Sequence, residues 1–174
     1  MTTDYRSELQ QSPNYNEDSI EDLSGSHAKA RPVEKKFQIL ITSFGYKAGS
    51  PPPANMLFDV RFLQNPYWVE ELRPLTGLDK PVQDYVLSQP LAQEFLTSCI
   101  GLLELVLPHM EAREMPDFTV AFGCTGGQHR STSVALAAAE KLRDLFPDYM
   151  IRICHRELDA KSLMPEDSSV PPGK

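Results

Sequence analysis

Apolar positions between residues 37 and 154 follow two different periods. Four short runs, 37–43, 56–62, 118–122 and 149–154, are dense in Ile, Val, Phe and Leu. The first and third are almost continuously apolar, which is the pattern of strands covered on both faces. Two longer stretches carry apolar residues at helical spacing. Leu91, Phe95, Cys99, Leu102, Leu103 and Val106 share one helix face, and Val134, Ala138, Leu142, Leu145 and Phe146 share another. Pro147 ends the second helix. Strands alternating with helices predict an α/β fold: a small, mainly parallel sheet of about four strands with helices on both faces.

Outside these limits the periodicity fades. Residues 1–36 contain NYNEDS and EDLSGSH and are polar throughout; 159–174 read the same way. Such segments cannot bury enough apolar surface to offset the cost of ordering them. The expected organisation is a disordered tail over 1–36, a folded domain over 37–158 and a disordered tail over 159–174. The triple proline at 51–53 marks a loop.

Composition narrows the function classes. At 174 residues and 41% hydrophobic content, one domain with a real core is expected. A net charge of −7 argues against bulk electrostatic binding to nucleic acid but leaves room for a local basic patch. Three cysteines make no disulfide framework. With no secretory apolar segment and no run of transmembrane length, a cytoplasmic protein without a membrane partner is expected.

The strongest candidate for chemistry lies at 118–133, FTVAFGCTGGQHRSTS. It reads as a buried strand, a glycine loop and the start of a helix. Free N–H groups at such a helix N-terminus, together with the helix dipole, favour an anion. Gly126 and Gly127 would make the turn. Thr125, Gln128, His129 and Arg130 add a hydroxyl, an amide, an imidazole and a guanidinium. Arg130 would offer a bidentate fork to phosphate. Cys124 and Arg130 also have C-x5-R spacing, in which a loop thiolate attacks phosphorus. Gly123 stands where such enzymes place His, and no Trp-Pro-Asp acid loop is evident, although Asp59 or Asp79 could serve. Cys124 is thus either a nucleophile or a half-buried loop thiol. Asp59 and Arg61 share a strand face, either as a fixed pair at the strand end or as a structural pair with nothing to bind. Trp68 is read as a packing residue ahead of a stacking one. His155 and Arg156 follow the last strand and either reach the same rim or, for His155, stay as a satisfied edge histidine. No Cys/His pair has zinc-ligand spacing and no Walker-type GxxxxGK[ST] occurs, so neither metal nor cofactor is expected.

Six ordered segments then combine: FGYK (44–47), FDVRFL (58–63), Asn65-Pro66 with Trp68, LRPLTGLD (72–79), GCTGG (123–127) with His129, Arg130 and Ser131, and His155-Arg156. Together they resemble the C-terminal domain of the RapZ family of RNase adapters, over about residues 37–158. The resemblance implies a fold similar to part of a phosphofructokinase. It also implies binding of a phosphosugar, glucosamine-6-phosphate, and of small regulatory RNAs. By the same resemblance Thr125, Gly126, Gln128 and Arg130 contact the phosphosugar, with Asp59 and Asn65 nearby. The family's full-length proteins carry a P-loop kinase-like domain that is not expected on this chain, so no nucleotide activity carries over. Two departures stand out: Tyr67 replaces the family's His, and ELDAKSLMPED at 157–167 replaces a Lys/Arg-rich cluster. Three classes follow. They are a phosphometabolite sensor, an RNA adapter using Arg152 and Arg156, and a Cys124 phosphatase. Homo-oligomerisation would gather scattered basic groups onto one face and favour the second.

Overall fold

A computed structural model describes residues 36–162. The expected tail segments 1–35 and 163–174 lie outside the described residues. Four strands form one parallel sheet: β1 (Gln38–Gly45), β2 (Met56–Asp59), β3 (Asp117–Cys124) and β4 (Met150–His155). Their order across the sheet is β2-β3-β1-β4, so the two apolar strands of the sequence are the central ones. Pairing runs Ile39 to Phe118, Ile41 to Val120 and Ser43 to Phe122, which puts these residues on one face. Four helices complete the domain: α1 (Lys80–Leu87), α2 (Pro90–Glu111), α3 (Arg130–Leu145) and α4 (Arg156–Ser162).

The core lies between the sheet and α1, α2 and α3. Ile39, Ile41, Val120, Phe122, Val82, Val86, Leu103, Val134 and Leu142 are fully buried there. Each such side chain contributes about 1.5–3 kcal/mol through removal from water. Phe95 of α2 meets both Phe58 and Phe122, fixing α2 over β2 and β3. The other face is covered unevenly. At its carboxyl end, Phe44 and Tyr46 pack edge to face, and Arg156 of α4 lies over the Phe44 ring. Leu40 and Thr119, nearer the amino end of that face, are only partly covered.

The sequence reading needs four adjustments. Strand β2 stops at Asp59, because Arg61 turns back to bind that carboxylate, and Phe62 is exposed. The buried stripe of α2 is Ala92, Leu96, Cys99, Ile100, Leu103 and Leu107, whereas Leu91 and Leu102 face outward. The expectation that no run reaches transmembrane length is corrected too. Helix α2 spans 22 residues, with a mean hydropathy of 1.4 over its most apolar window, enough by length and composition to cross a membrane. Its buried stripe instead makes it a core helix of this domain. Finally, α4 continues past residue 158, where the domain was expected to end.

Candidate functional site

The carboxyl ends of β1 and β3 are neighbours, and loops leaving parallel strands there line the usual ligand crevice of open α/β sheets. The loop 125–129 joins β3 to α3. Its tight fold is made possible by glycines on both sides. A Cβ at Gly45 would lie 2.6 Å from the Gly126 carbonyl carbon and 2.8 Å from Gly127 N, so β1 approaches the loop backbone directly. Gly127 has a φ of +71°, and a Cβ there would sit 2.4 Å from Glu157 Oε2 and 2.6 Å from Gly45 N. Its N–H donates to Cys124 Sγ at 3.2 Å. Gly126 differs: a Cβ there meets nothing within 4 Å.

Three consecutive buried hydroxyls open α3 and tie the loop to separate elements. Ser131 Oγ lies 3.1 Å from Cys124 Sγ. Thr132 Oγ donates to the Gly127 carbonyl at 3.0 Å and lies 3.4 Å from Ser43 Oγ. Ser133 Oγ donates to the Gly77 carbonyl, and Gly77 N–H donates to the Gln128 carbonyl at 2.7 Å. The Ser131-Thr132-Ser133 run was the sequence signal for this anchoring, and only its first member entered the motif reading. The helix itself has no side-chain cap at His129, so its first-turn N–H groups lack the usual capping acceptor.

Arg130 is the most constrained cation of the site. It is 5% exposed. Its Nη1 donates to the carbonyls of Arg61 and Leu63 at 3.0 and 3.1 Å, and its Nη2 donates to Thr125 Oγ1 at 3.2 Å. Its Nε–H is buried and has no partner among the described residues. The guanidinium is therefore held on one side by carbonyls, while its Nε edge keeps an unsatisfied donor. His129, also buried, has no hydrogen-bond partner at Nε2 among the described residues. Burial pushes its imidazole below the ordinary 6.5, and the Arg130 charge adds to that; the nearby carbonyls of Leu75, Arg73 and Leu72 pull the other way. The net effect favours its neutral form.

A cavity of about 490 Å³ opens beside the loop. Of the sequence candidates, Asn65, Thr125, Gly126, Gln128, His129 and Arg130 line it, together with Cys124. Lys47, Tyr67 and Trp68 complete the lining. Lys47 is drawn in because its N–H donates to the Thr125 carbonyl at 3.0 Å. Asp59 and Gly127 are not among the lining residues. Asp59 instead holds Arg61 through both carboxylate oxygens, and Arg61 lies over the Tyr46 ring at 4.2 Å. Trp68, expected to pack, is 76% exposed at the cavity's lip. Another cavity, of about 400 Å³, lies at the amino end of the sheet against Lys36, Phe37 and Glu111, away from these groups.

The thiol and rim residues are placed as follows. Cys124 is 2% exposed and receives the Gly127 N–H. A His at position 123 has no room: a Cβ there would meet Phe44 Cζ at 2.4 Å and Tyr46 Cε2 at 2.8 Å. Neither candidate acid carries a proton at neutral pH. The Arg61 side chain holds Asp59 below its ordinary value, and the Thr76 N–H and hydroxyl do the same for Asp79. Arg156 is spent on structure, donating to the carbonyls of Ser50 and Gly45 at 2.7 and 2.9 Å and pairing with Glu157. Arg152 is exposed on β4. His155 turns inward, with Nδ1 2.8 Å from Ser43 Oγ. No cluster of three or more His, Cys, Asp or Glu suited to a metal occurs among the described residues.

The fold and this junction define a small parallel α/β domain whose strand-loop-helix turn gathers polar groups around one cavity. The profile of the RapZ C-terminal domain matches residues 37–159, and the chain belongs to that family. Among its relatives are proteins named only as nucleotide-binding proteins. One from Shewanella sp. (strain W3-18-1) is 46% identical over 127 residues, covering 73% of this chain and 44% of the relative. One from Shewanella loihica is 48% identical over 128 residues, covering 72% and 44%. One from Lactiplantibacillus plantarum is 43% identical over 128 residues, covering 74% and 42%. The chain thus spans less than half the length of these relatives.

Proposed function

We propose that this domain is a non-enzymatic sensor that binds a phosphorylated small molecule in the loop 124–130. The observation that carries this reading is Arg130. A buried guanidinium fixed by three hydrogen bonds, with a buried Nε–H left over, is costly unless an acceptor serves it. An anion seated against that edge would also meet the N-terminus of α3 and the Thr125 hydroxyl. Lys47 at the cavity wall adds a second positive charge. The family resemblance supplies the ligand class: an amino-sugar phosphate such as glucosamine-6-phosphate.

The two other readings are less well supported. A phosphatase would need a general acid at the cavity, and neither Asp59, bound to Arg61, nor Asp79, bound to Thr76, lines it. An RNA adapter would need several free cations on one face; Arg152 is exposed on β4, but the Arg156 guanidinium is occupied by carbonyls and Glu157. The relatives' designation as nucleotide-binding proteins applies to chains more than twice as long as the matched region, and no Walker-type motif occurs in this sequence. A cytoplasmic setting goes with the sensor reading, since Cys99, Cys124 and Cys154 are all free thiols.

Thermal denaturation at constant ionic strength tests the proposal. Inorganic phosphate, sulfate and glucosamine-6-phosphate should each raise the midpoint, and glucosamine without phosphate should not. Saturation at a hundred times the dissociation constant corresponds to about 2.7 kcal/mol of added stability. Equal midpoints with phosphate and with chloride would refute it.

A further inference from the structure

We infer that Trp68 is a stacking platform for the ring of a phosphorylated ligand, and so sets which phosphates the cavity prefers. The inference rests on the anion site proposed above and adds the other half of the ligand. A tryptophan side chain commonly buries 150–250 Å² or so when it packs. Here the indole is 76% exposed, yet the backbone that carries it is firmly held. The Asn65 side chain caps the 3-10 turn Pro66–Trp68 by accepting Tyr67 N–H. Trp68 N–H donates to the Asn65 carbonyl at 3.2 Å, and Val69 N–H donates to the Pro66 carbonyl at 2.9 Å. Arg73 Nε donates to the Tyr67 carbonyl at 3.1 Å, and its guanidinium lies 5.3 Å from the Tyr67 ring centroid. Tyr67 meets Trp68 edge to face at 5.4 Å.

The turn is also tied to the phosphate end of the cavity. Arg130 Nη1 donates to the Leu63 carbonyl, two residues before Asn65. The arginine and the indole are thus joined through a short run of backbone, and both line the same cavity. Inorganic phosphate would fill only a fraction of about 490 Å³. A phosphorylated ring with an apolar face would reach from the loop to the indole, either through the C–H face of a pyranose or through the plane of a nucleobase. Both lay a flat face on the indole, a C–H face in the first case and a π-face in the second.

Trp68 is the only tryptophan in the chain, so its fluorescence reports on this cavity alone. The full-length protein would be titrated with inorganic phosphate, glycerol phosphate, glucosamine-6-phosphate and a nucleoside monophosphate, followed by fluorescence and calorimetry. The ring phosphates should change the emission and bind more tightly than the acyclic ones; the two ring arms show which source is preferred. In Trp68→Ala, affinity for the preferred ring phosphate should fall about tenfold, while that for inorganic phosphate stays within about twofold. Trp68→Phe should recover part of the loss. If inorganic phosphate binds but ring phosphates gain nothing over glycerol phosphate, or if Trp68→Ala weakens all ligands equally, the stacking role is overturned and the anion site stands. If no phosphate binds the parent, both fall.

Discussion

Adjacent glycines in the loop should respond oppositely to one added methyl. At Gly127 the backbone is left-handed, and the new Cβ would meet Glu157 Oε2 at 2.4 Å and Gly45 N at 2.6 Å. Glu157 can swing, but the Gly45 amide belongs to the sheet and cannot. The left-handed conformation costs an L residue about 1–2 kcal/mol, and forcing a methyl into a packed site adds about 1–3 kcal/mol. Gly127→Ala should therefore lose roughly 2–5 kcal/mol of folding stability. At Gly126 the methyl meets nothing within 4 Å and the backbone is not left-handed. Gly126→Ala should stay within about 0.5 kcal/mol of the parent. Yet Gly126 lines the cavity, so its methyl should weaken phosphate binding while the fold persists. Urea denaturation with and without phosphate measures both effects. Unchanged stability in Gly127→Ala, or a Gly126→Ala variant as unstable as its neighbour, would refute this account of the loop.

Four further outcomes are expected. Burial holds the imidazoles of His129 and His155 below 6.5, so the unfolded chain takes up protons first as pH falls. The stability that keeping them neutral protects is whole above about pH 6.5 and declines toward pH 5; the urea midpoint should be lower at pH 5.5 than at 7.5, less so in His155→Gln, and a flat profile would contradict this. Asp59 and Asp79, held below 3.8, should contribute to acid unfolding only at still lower pH. Phosphate release from an aryl phosphate should not exceed the blank; release that vanishes in Cys124→Ser would revive the nucleophile reading. Binding to a hairpin RNA should be weak with a shallow salt dependence; sub-micromolar binding at near-physiological salt with a steep slope would return the adapter reading to first place.

Much of this architecture was legible in the residue pattern because its signals are local. Continuous apolar runs gave the two central strands, and the period of Val134, Ala138 and Leu142 gave α3. Helix α1 was missed because it is eight residues long, buries only Val82 and Val86 fully, and carries Pro81 in its first turn. The face of α2 was misplaced because Leu91, Leu102 and Leu105 are apolar yet exposed, so hydrophobicity alone could not mark the buried side. The loop's polar set was visible as a cluster, but its supports were not. Gly45 and Gly77 act through close backbone approaches across the fold, and a lone glycine in sequence does not show what it faces. The exposure of Trp68 was likewise set by a turn whose restraints come from Asn65 and Arg73.

The side-chain Nε–H of Arg130 offers the most direct test of the sensor reading. It can be followed by nitrogen-edited proton NMR while inorganic phosphate and then glucosamine-6-phosphate are added. The resonance should shift strongly and saturate together with the backbone amides of residues 125–130. An Arg130 Nε–H signal that stays in place at saturating ligand, or amide shifts confined to another part of the domain, would contradict the proposed anion site.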